Sequence, residues 1–377
     1  MKRSAPEKAW ERHSREWRHP AEALSFWREA GETEPGLLEG KATGEWWAVL
    51  EKLRITLLVS REYEHLLQAF STPAGRPLVS HLRLPHPSGL AVRRSSGLVY
   101  AASTRNPNQI FELAPSSHGD RPLLPRRSWI YPGRTYLHDL AMVKGKLHAN
   151  AVGQNAILCL EDDGSWKRVW WPRCLDGRTD AFDTNYLQLN SIAAGSDLRG
   201  SFFSASVSAP GRRRPGQKNF PVDGRGVIFS GRTREVMATG LTRPHSARLS
   251  EGELWVDNSG YGSVGVIKPA GYEIRQVLPG WTRGLAFCKN ILFVGTSRVL
   301  PRFQQYAPGL KPERCVCGVH ALDRKTGEIL GSYCWPQGNQ IFALEWLPSS
   351  LTAGFPFKGT GRIAFNQAVR LFYSHVI

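Results

Sequence analysis

An all-β fold, organised as a β-propeller of about six blades, is predicted by two observations along this 377-residue chain. The first is texture. From Ile55 onward, short apolar runs alternate with clusters of Gly, Pro, Asn and Ser, the pattern of strands joined by tight turns. The second is repetition. "HPSGLAVRRSSGLVYAAST" (86–104), "YLHDLAMVKGKLHANAVG" (136–153), "LQLNSIAAGSDLRGSFFSASV" (187–207), "RPHSARLSEGELWVDNSG" (243–260) and "GWTRGLAFCKNILFVGTSR" (280–298) fall into one frame. Each holds an apolar strand, a polar turn, and a second strand that ends in small or polar residues.

The remaining strands follow in order. "NQIFEL", "NAILCL", "GVIFSG", "VGVIKP" and "CGVHALD" supply third strands, and "KTGEILGSY" supplies a hairpin turn and a fourth. Four strands recurring every roughly 40–55 residues is propeller spacing. "NQIFALEWLP" (339–348) opens a further copy that lacks its later strands, while "ITLLVSREYEHLLQAF" (55–70) precedes the first full copy. Joining the two chain ends in one blade hides edges that would otherwise pair with other chains. The count is then six, with seven as the alternative.

Three regions are expected: a helical N-terminal extension over 1–53, the propeller over 54–350, and a C-terminal extension over 351–377 packing on it. In the first, "AEALSFWREAGE" and "GEWWAVLEKL" carry apolar residues at helical spacing. Trp10, Trp17, Trp27, Trp46 and Trp47 either pack these helices onto the main body or form a partner-binding stripe. The Arg- and Pro-rich segment 208–226 is expected to be a loop on one face.

Composition bounds the function. The formal net charge is +17 and the sequence pI about 9.9, which points to anionic partners or simply to solubility. "MKRSAPEKAWERHSREW" has no apolar core behind its basic start, so no secretory signal is expected. The six cysteines are therefore expected as reduced thiols in the cytoplasm. "CVCG" (315–318) has no second cysteine pair at zinc-ribbon spacing. No apolar run approaches the ~20 residues of a membrane span. There is no phosphate-binding glycine loop, dinucleotide fingerprint or nucleophile elbow. The basic run "GRRRPGQK" (211–218) lacks interleaved aromatics, so nucleic acid is not an expected partner.

The repeat frame directs attention to the axis. Aligned on their first strands, the copies place Ser88, His138, Asn190, His245 and Arg283 in one column. Gly89, Asp139, Ser191, Ser246 and Gly284 occupy the next. Innermost strands line a propeller's channel, so one column converges on one small space. His86 and Gln188 lie just before that column. His86, His138 and His245 could together bind a transition metal such as Fe, Zn or Cu. Asp139 could be a ligand, a partner to a histidine, or a general base. Arg283 could hold a substrate's negative charge.

The catalytic candidates are thus His138, Asp139, His245 and Arg283, with Asn190, Gln188, Arg243 and Asn258 as substrate-binding candidates. The alternative is a structural channel whose polar groups bond one another and water. Ends of second strands, such as "NAVGQNA" and "VDNSGYG", could read a polar ligand or serve only as turn chemistry. The expected partner is a polar or anionic small molecule or peptide. The competing expectation is a scaffold that holds an acidic protein or glycan.

The stretches "LHDLA" (137–141), "LNSIA" (189–193), "PHSARL" (244–249), "LWVDNSG" (254–260), "LPGWTRGLAF" (278–287) and "CGVHALDRKTGEI" (317–329) resemble an uncharacterised bacterial family, the domain of unknown function 4915 type. That family is propeller-like and is sometimes fused to tetratricopeptide repeats. The resemblance spans about 57–348 and implies the fold without implying an activity. A histidine often stands in that family where this chain has Gln188, which sets this member apart from a four-histidine site.

Overall fold

The computed structural model describes residues 34–104, 108–117, 119–131 and 135–359. Trp10, Trp17 and Trp27 lie outside the described residues. Six antiparallel sheets form a six-bladed propeller. Blades 2 to 5 are each built from four consecutive strands: Pro87–Arg93 to Leu123–Ile130, Leu137–Val143 to Trp166–Trp170, Leu189–Ala193 to Val236–Leu241, and Pro244–Ser250 to Gly271–Val277.

Closure uses both ends of the chain. Blade 1 takes Ile55–Arg61, Leu66–Ser71 and Leu78–Arg83 from the N-terminal side and its innermost strand, Ala343–Pro348, from the C-terminal side. Ile55 through Ser60 pair with Pro348 back to Ala343, so the ring is closed by a ladder of main-chain hydrogen bonds. Both blades at the seam are five-stranded. Phe357–Lys358 adds to the outer edge of blade 1, and Lys41–Gly44 to that of blade 6 (Trp281–Cys288, Ile291–Ser297, Cys317–Asp323, Ile329–Trp335).

The helix Trp46–Leu53 buries Trp46, Val49, Leu50 and Leu53, one stripe at i, i+3, i+4 and i+7 spacing. That stripe packs on Phe70, Phe293 and Tyr333 at the seam between blades 6 and 1. Trp46 meets Phe70 edge to face at 5.7 Å between centroids. Of the two tryptophans here, Trp46 is core and Trp47 is half-buried against the same cluster. The helix ends at Arg54, whose φ of 56° turns the chain into the first propeller strand.

The adjacent His138 and Asp139 are explained by backbone register. Leu137 pairs with Ala151 and Leu140 with Ala149, so His138 and Asp139 together oppose Asn150 alone. That is a β-bulge, which re-aims side chains and breaks the in–out alternation of a regular strand. The same irregularity recurs at Ser88–Gly89, Asn190, His245–Ser246 and Arg283–Gly284. The first axial column is therefore a bulge position in five of the six inner strands, and the second in four, Ser191 pairing regularly with Ser204.

Candidate functional site

The bulges split the two columns. The second column stitches neighbouring blades together. Asp139 Oδ2 accepts from the Ile192 amide at 2.9 Å, Ser191 Oγ from the Ala247 amide at 2.9 Å, and Ser246 Oγ from the Gly284 amide at 2.8 Å. Asp139 also forms a two-pronged ion pair with Arg248, at 2.9 and 3.1 Å. Its lone pairs are thus directed at Arg248 and at main-chain amides. Where a second-column position is glycine, neighbouring backbones are close. A Cβ on Gly89 would lie 2.6 Å from Asp139 Cα.

The first column faces a cavity of about 320 Å3 at one mouth of the channel. His138, His245 and Arg283 line it. Ser88 and Asn190 serve the wall instead: Ser88 Oγ donates to the Leu137 carbonyl, and Asn190 Nδ2 to that of Pro244 at 2.7 Å. The sixth inner strand continues the column with Phe342. Its ring lies 4.7 Å from the His138 ring, and the Arg283 guanidinium sits on its face at 3.4 Å.

A further column, two residues ahead of the first, supplies five more lining residues: Tyr136, Gln188, Arg243, Trp281 and Gln340. Its blade 2 member is His86. Four of its six residues take left-handed backbone: His86 (φ 43°), Tyr136 (48°), Gln188 (50°) and Arg243 (53°). A non-glycine residue in that region is strained by roughly 1–2 kcal/mol, and such strain clusters at ligand sites. Neighbouring side chains hold the turns. The amide of Tyr136 donates to Asn108 Oδ1, that of Gln188 to Asn185 Oδ1, and that of His86 to His65 Nδ1. Asn258 does the same work, accepting from the Thr242 amide at 2.6 Å. Its placement is turn chemistry.

Two buried guanidiniums dominate the electrostatics. Arg283 Nη2 donates to His138 Nε2 at 3.3 Å. A guanidinium has no acceptor, so Nε2 is the unprotonated nitrogen and the neutral ring carries its proton on Nδ1. Glu62 offsets part of the Arg283 charge through Gln340: with the amide turned to satisfy both neighbours, its oxygen accepts from Arg283 Nη1 and its nitrogen donates to Glu62 Oε2 at 3.1 Å. Arg243 is different. It is 6 % exposed, lies 4.5 Å beneath the Tyr306 ring, and donates to Ser206 Oγ at 3.1 Å. Its Nε has no hydrogen-bond partner, and no carboxylate among the described residues pairs with it. Burial pulls both arginines down to about 10, which leaves them cationic at neutral pH. Burial, then the charges of Arg283 and Arg243, hold His245 well below its usual value. Its neutral ring bonds Ser259 Oγ through Nδ1 at 2.9 Å.

Of the three expected metal ligands, His138 and His245 share the cavity, with ring centroids 6.4 Å apart. His86 packs against His65 and Tyr63. Among the described residues, no group of three or more His, Cys, Asp or Glu side chains is arranged to hold a metal ion.

The frame extended to "NQIFALEWLP" would have placed Gln340 and Phe342 in these columns. Nothing in the sequence singles out Glu62, Tyr63, Thr104 or Phe303, which reach the cavity from the connections around its mouth. Pro215 and Gly216, from the Arg-rich insert, also line it.

The model of a domain of unknown function, DUF4915, matches residues 44–354. The chain belongs to the DUF4915 family. The matched span runs from Gly44, the last residue of the Lys41–Gly44 edge strand, past Ala343–Pro348, the strand that closes blade 1. No curated protein matches this DUF4915 member. Among solved structures it is similar to a chain of a nidogen–laminin complex, at 12% identity and a TM-score of 0.52, with 78% of this chain and 98% of that chain covered. It is also similar to a protein of unknown function from Bacteroides caccae, at 9% identity and a TM-score of 0.46, with the same coverage. These likenesses concern the fold alone. No helix among the described residues is long and apolar enough to cross a membrane.

Proposed function

We propose that the axial cavity is the functional site and that it binds the anionic group of a small organic molecule or peptide. The observation that carries this reading is Arg243, a buried guanidinium that lines the cavity with no acidic partner among the described residues. Burying a charge without a counter-ion is costly, and an incoming carboxylate or phosphate would supply one. Arg283 stands ready as the second contact. Its bond to His138 is a single 3.3 Å interaction that an anion, with its charge and paired oxygens, would outcompete.

Drawing Arg283 onto the ligand frees the lone pair of His138 Nε2 beside it. His138 is then the group able to accept a proton, and His245 stays neutral as a hydrogen-bonding wall. Asp139 acts at a distance, by fixing the bulge that aims His138. The cavity volume suits a small metabolite or a chain end. The six free cysteines suit a reducing compartment, and we assign the protein to the cytoplasm.

The test is thermal unfolding of the full chain in citrate. A ligand at 100 times its dissociation constant stabilises by about 2.7 kcal/mol, or roughly 3–4 °C for a chain of this size. The shift should vanish in Arg243→Gln. No shift in the wild type overturns the reading. His138→Ala separates an enzyme from a binding protein, because it should retain the citrate shift in both cases and lose turnover only in the first.

A further inference from the structure

The cavity is ringed by more positive charge than one small anion requires. Two long connections, 206–225 in blade 4 and 298–316 in blade 6, meet over its mouth, where the Gly216 amide donates to the Tyr306 hydroxyl at 3.2 Å. The first holds five Lys and Arg to one Asp, and the second four to one Glu. Arg212, Arg213, Lys218, Arg225, Lys311 and Arg314 are exposed, and none makes an ion pair among the described residues. The lone Asp of the first connection, Asp223, accepts from Thr242 and Tyr261 hydroxyls.

Ion pairs such as Lys146–Glu161, Arg173–Glu235 and Lys268–Glu253 balance part of the charge elsewhere on the surface. The two connections together carry nine Lys and Arg to two acidic residues, and the first of them reaches the cavity of the buried Arg243 through Pro215 and Gly216. Such a field steers and holds a chain of negative charges.

The chemistry of the lining narrows the class. Single-stranded nucleic acid is held on exposed aromatic platforms for its bases. Around this mouth the one large, exposed aromatic among the described residues is Tyr261, which is engaged with Asp223. Inside, the side-chain amides of Asn185, Gln188 and Gln340 offer both donors and acceptors, as the N–H and C=O groups of a peptide require. Paired guanidiniums match a terminal carboxylate. We infer, building on the anion-binding reading, that the ligand is an acidic peptide that enters the cavity by its C-terminal carboxylate and lays its preceding acidic residues across Arg212 and Arg213.

The experiment is fluorescence anisotropy of the full chain with an N-terminally labelled six-residue acidic peptide, as free acid and as C-terminal amide. We expect amidation to weaken binding at least tenfold in the wild type and to have no further effect in Arg243→Gln. R212Q/R213Q should weaken both forms about tenfold at low salt, and that difference should vanish near 1 M salt, where screening acts within about 3 Å. Equal affinity for acid and amide overturns the inference. So does tighter binding of a labelled sulfated oligosaccharide or single-stranded oligonucleotide. The citrate shift tells the two failures apart: a shift without peptide binding removes only this inference, and the absence of both removes the cavity reading as well.

Discussion

Replacing Gln188 by glycine and by alanine isolates the strain at the cavity rim. Both variants remove the same amide from the lining, and they differ only in a Cβ atom at a residue with φ of 50°. At an ordinary position glycine is the less stable of the two by roughly 0.5–1 kcal/mol, because it gives up more backbone freedom on folding. In the left-handed region the Cβ of alanine costs roughly 1–2 kcal/mol. The balance favours glycine by about 0.5–1 kcal/mol, a reversal of the usual order. The frame around the residue is rigid enough to hold φ, since the Gln188 amide donates to Asn185 Oδ1 at 2.9 Å and its carbonyl accepts from the Ser206 amide at 3.2 Å. Urea unfolding with a shared slope resolves such a difference. Gln188→Gly falling below Gln188→Ala would refute the argument that this rim is held in strain to aim side chains inward.

Other outcomes follow from the same structure. Asp139→Asn should lose about 3–5 kcal/mol of stability, because it leaves Arg248 without its counter-charge, measured by the same denaturation; a loss under 1 kcal/mol would remove Asp139 from the stitching ring. Gly89→Ala should destabilise by roughly 1–3 kcal/mol through overpacking against the blade 3 backbone. His320 is buried between Thr296 and Ser332 hydroxyls, and burial lowers it to about 4. Its folded value lies below its unfolded one, so its contribution is complete above pH 6.5 and is lost as pH falls toward 4. His320→Gln should therefore flatten stability against pH by about 1.4 kcal/mol per unit in that window; an unchanged slope would refute the assignment. A metal-dependent version of the site predicts near-stoichiometric transition metal in the purified full chain, lost in the His138→Ala/His245→Ala double variant. Elemental analysis decides it.

The repeat frame carried the architecture because blade strands are local, and alternation and turn chemistry are written in consecutive residues. It also found the column that brings His138, His245 and Arg283 to one cavity, since symmetry makes equivalent positions converge, and it anticipated closure from a first strand left without successors at 339–348. Side-chain direction was not legible. Whether His138 and Asp139 face the same space depends on a bulge, which is a matter of cross-strand register between Leu137–Val143 and Lys146–Ala151. Register put His138 in the cavity and turned Asp139 to Arg248, a partner more than a hundred residues away. Likewise, no spacing rule brings Glu62, Phe303 and Gly216 to the mouth; the connections that hold them meet only once the ring has closed. The sequence by itself determined the repeating strands and the axis on which they converge, and it left the blade count between six and seven. The tertiary structure decided which axial groups share a cavity and which are consumed in holding the blades together, because burial, pairing and backbone strain exist only between segments that folding has brought into contact.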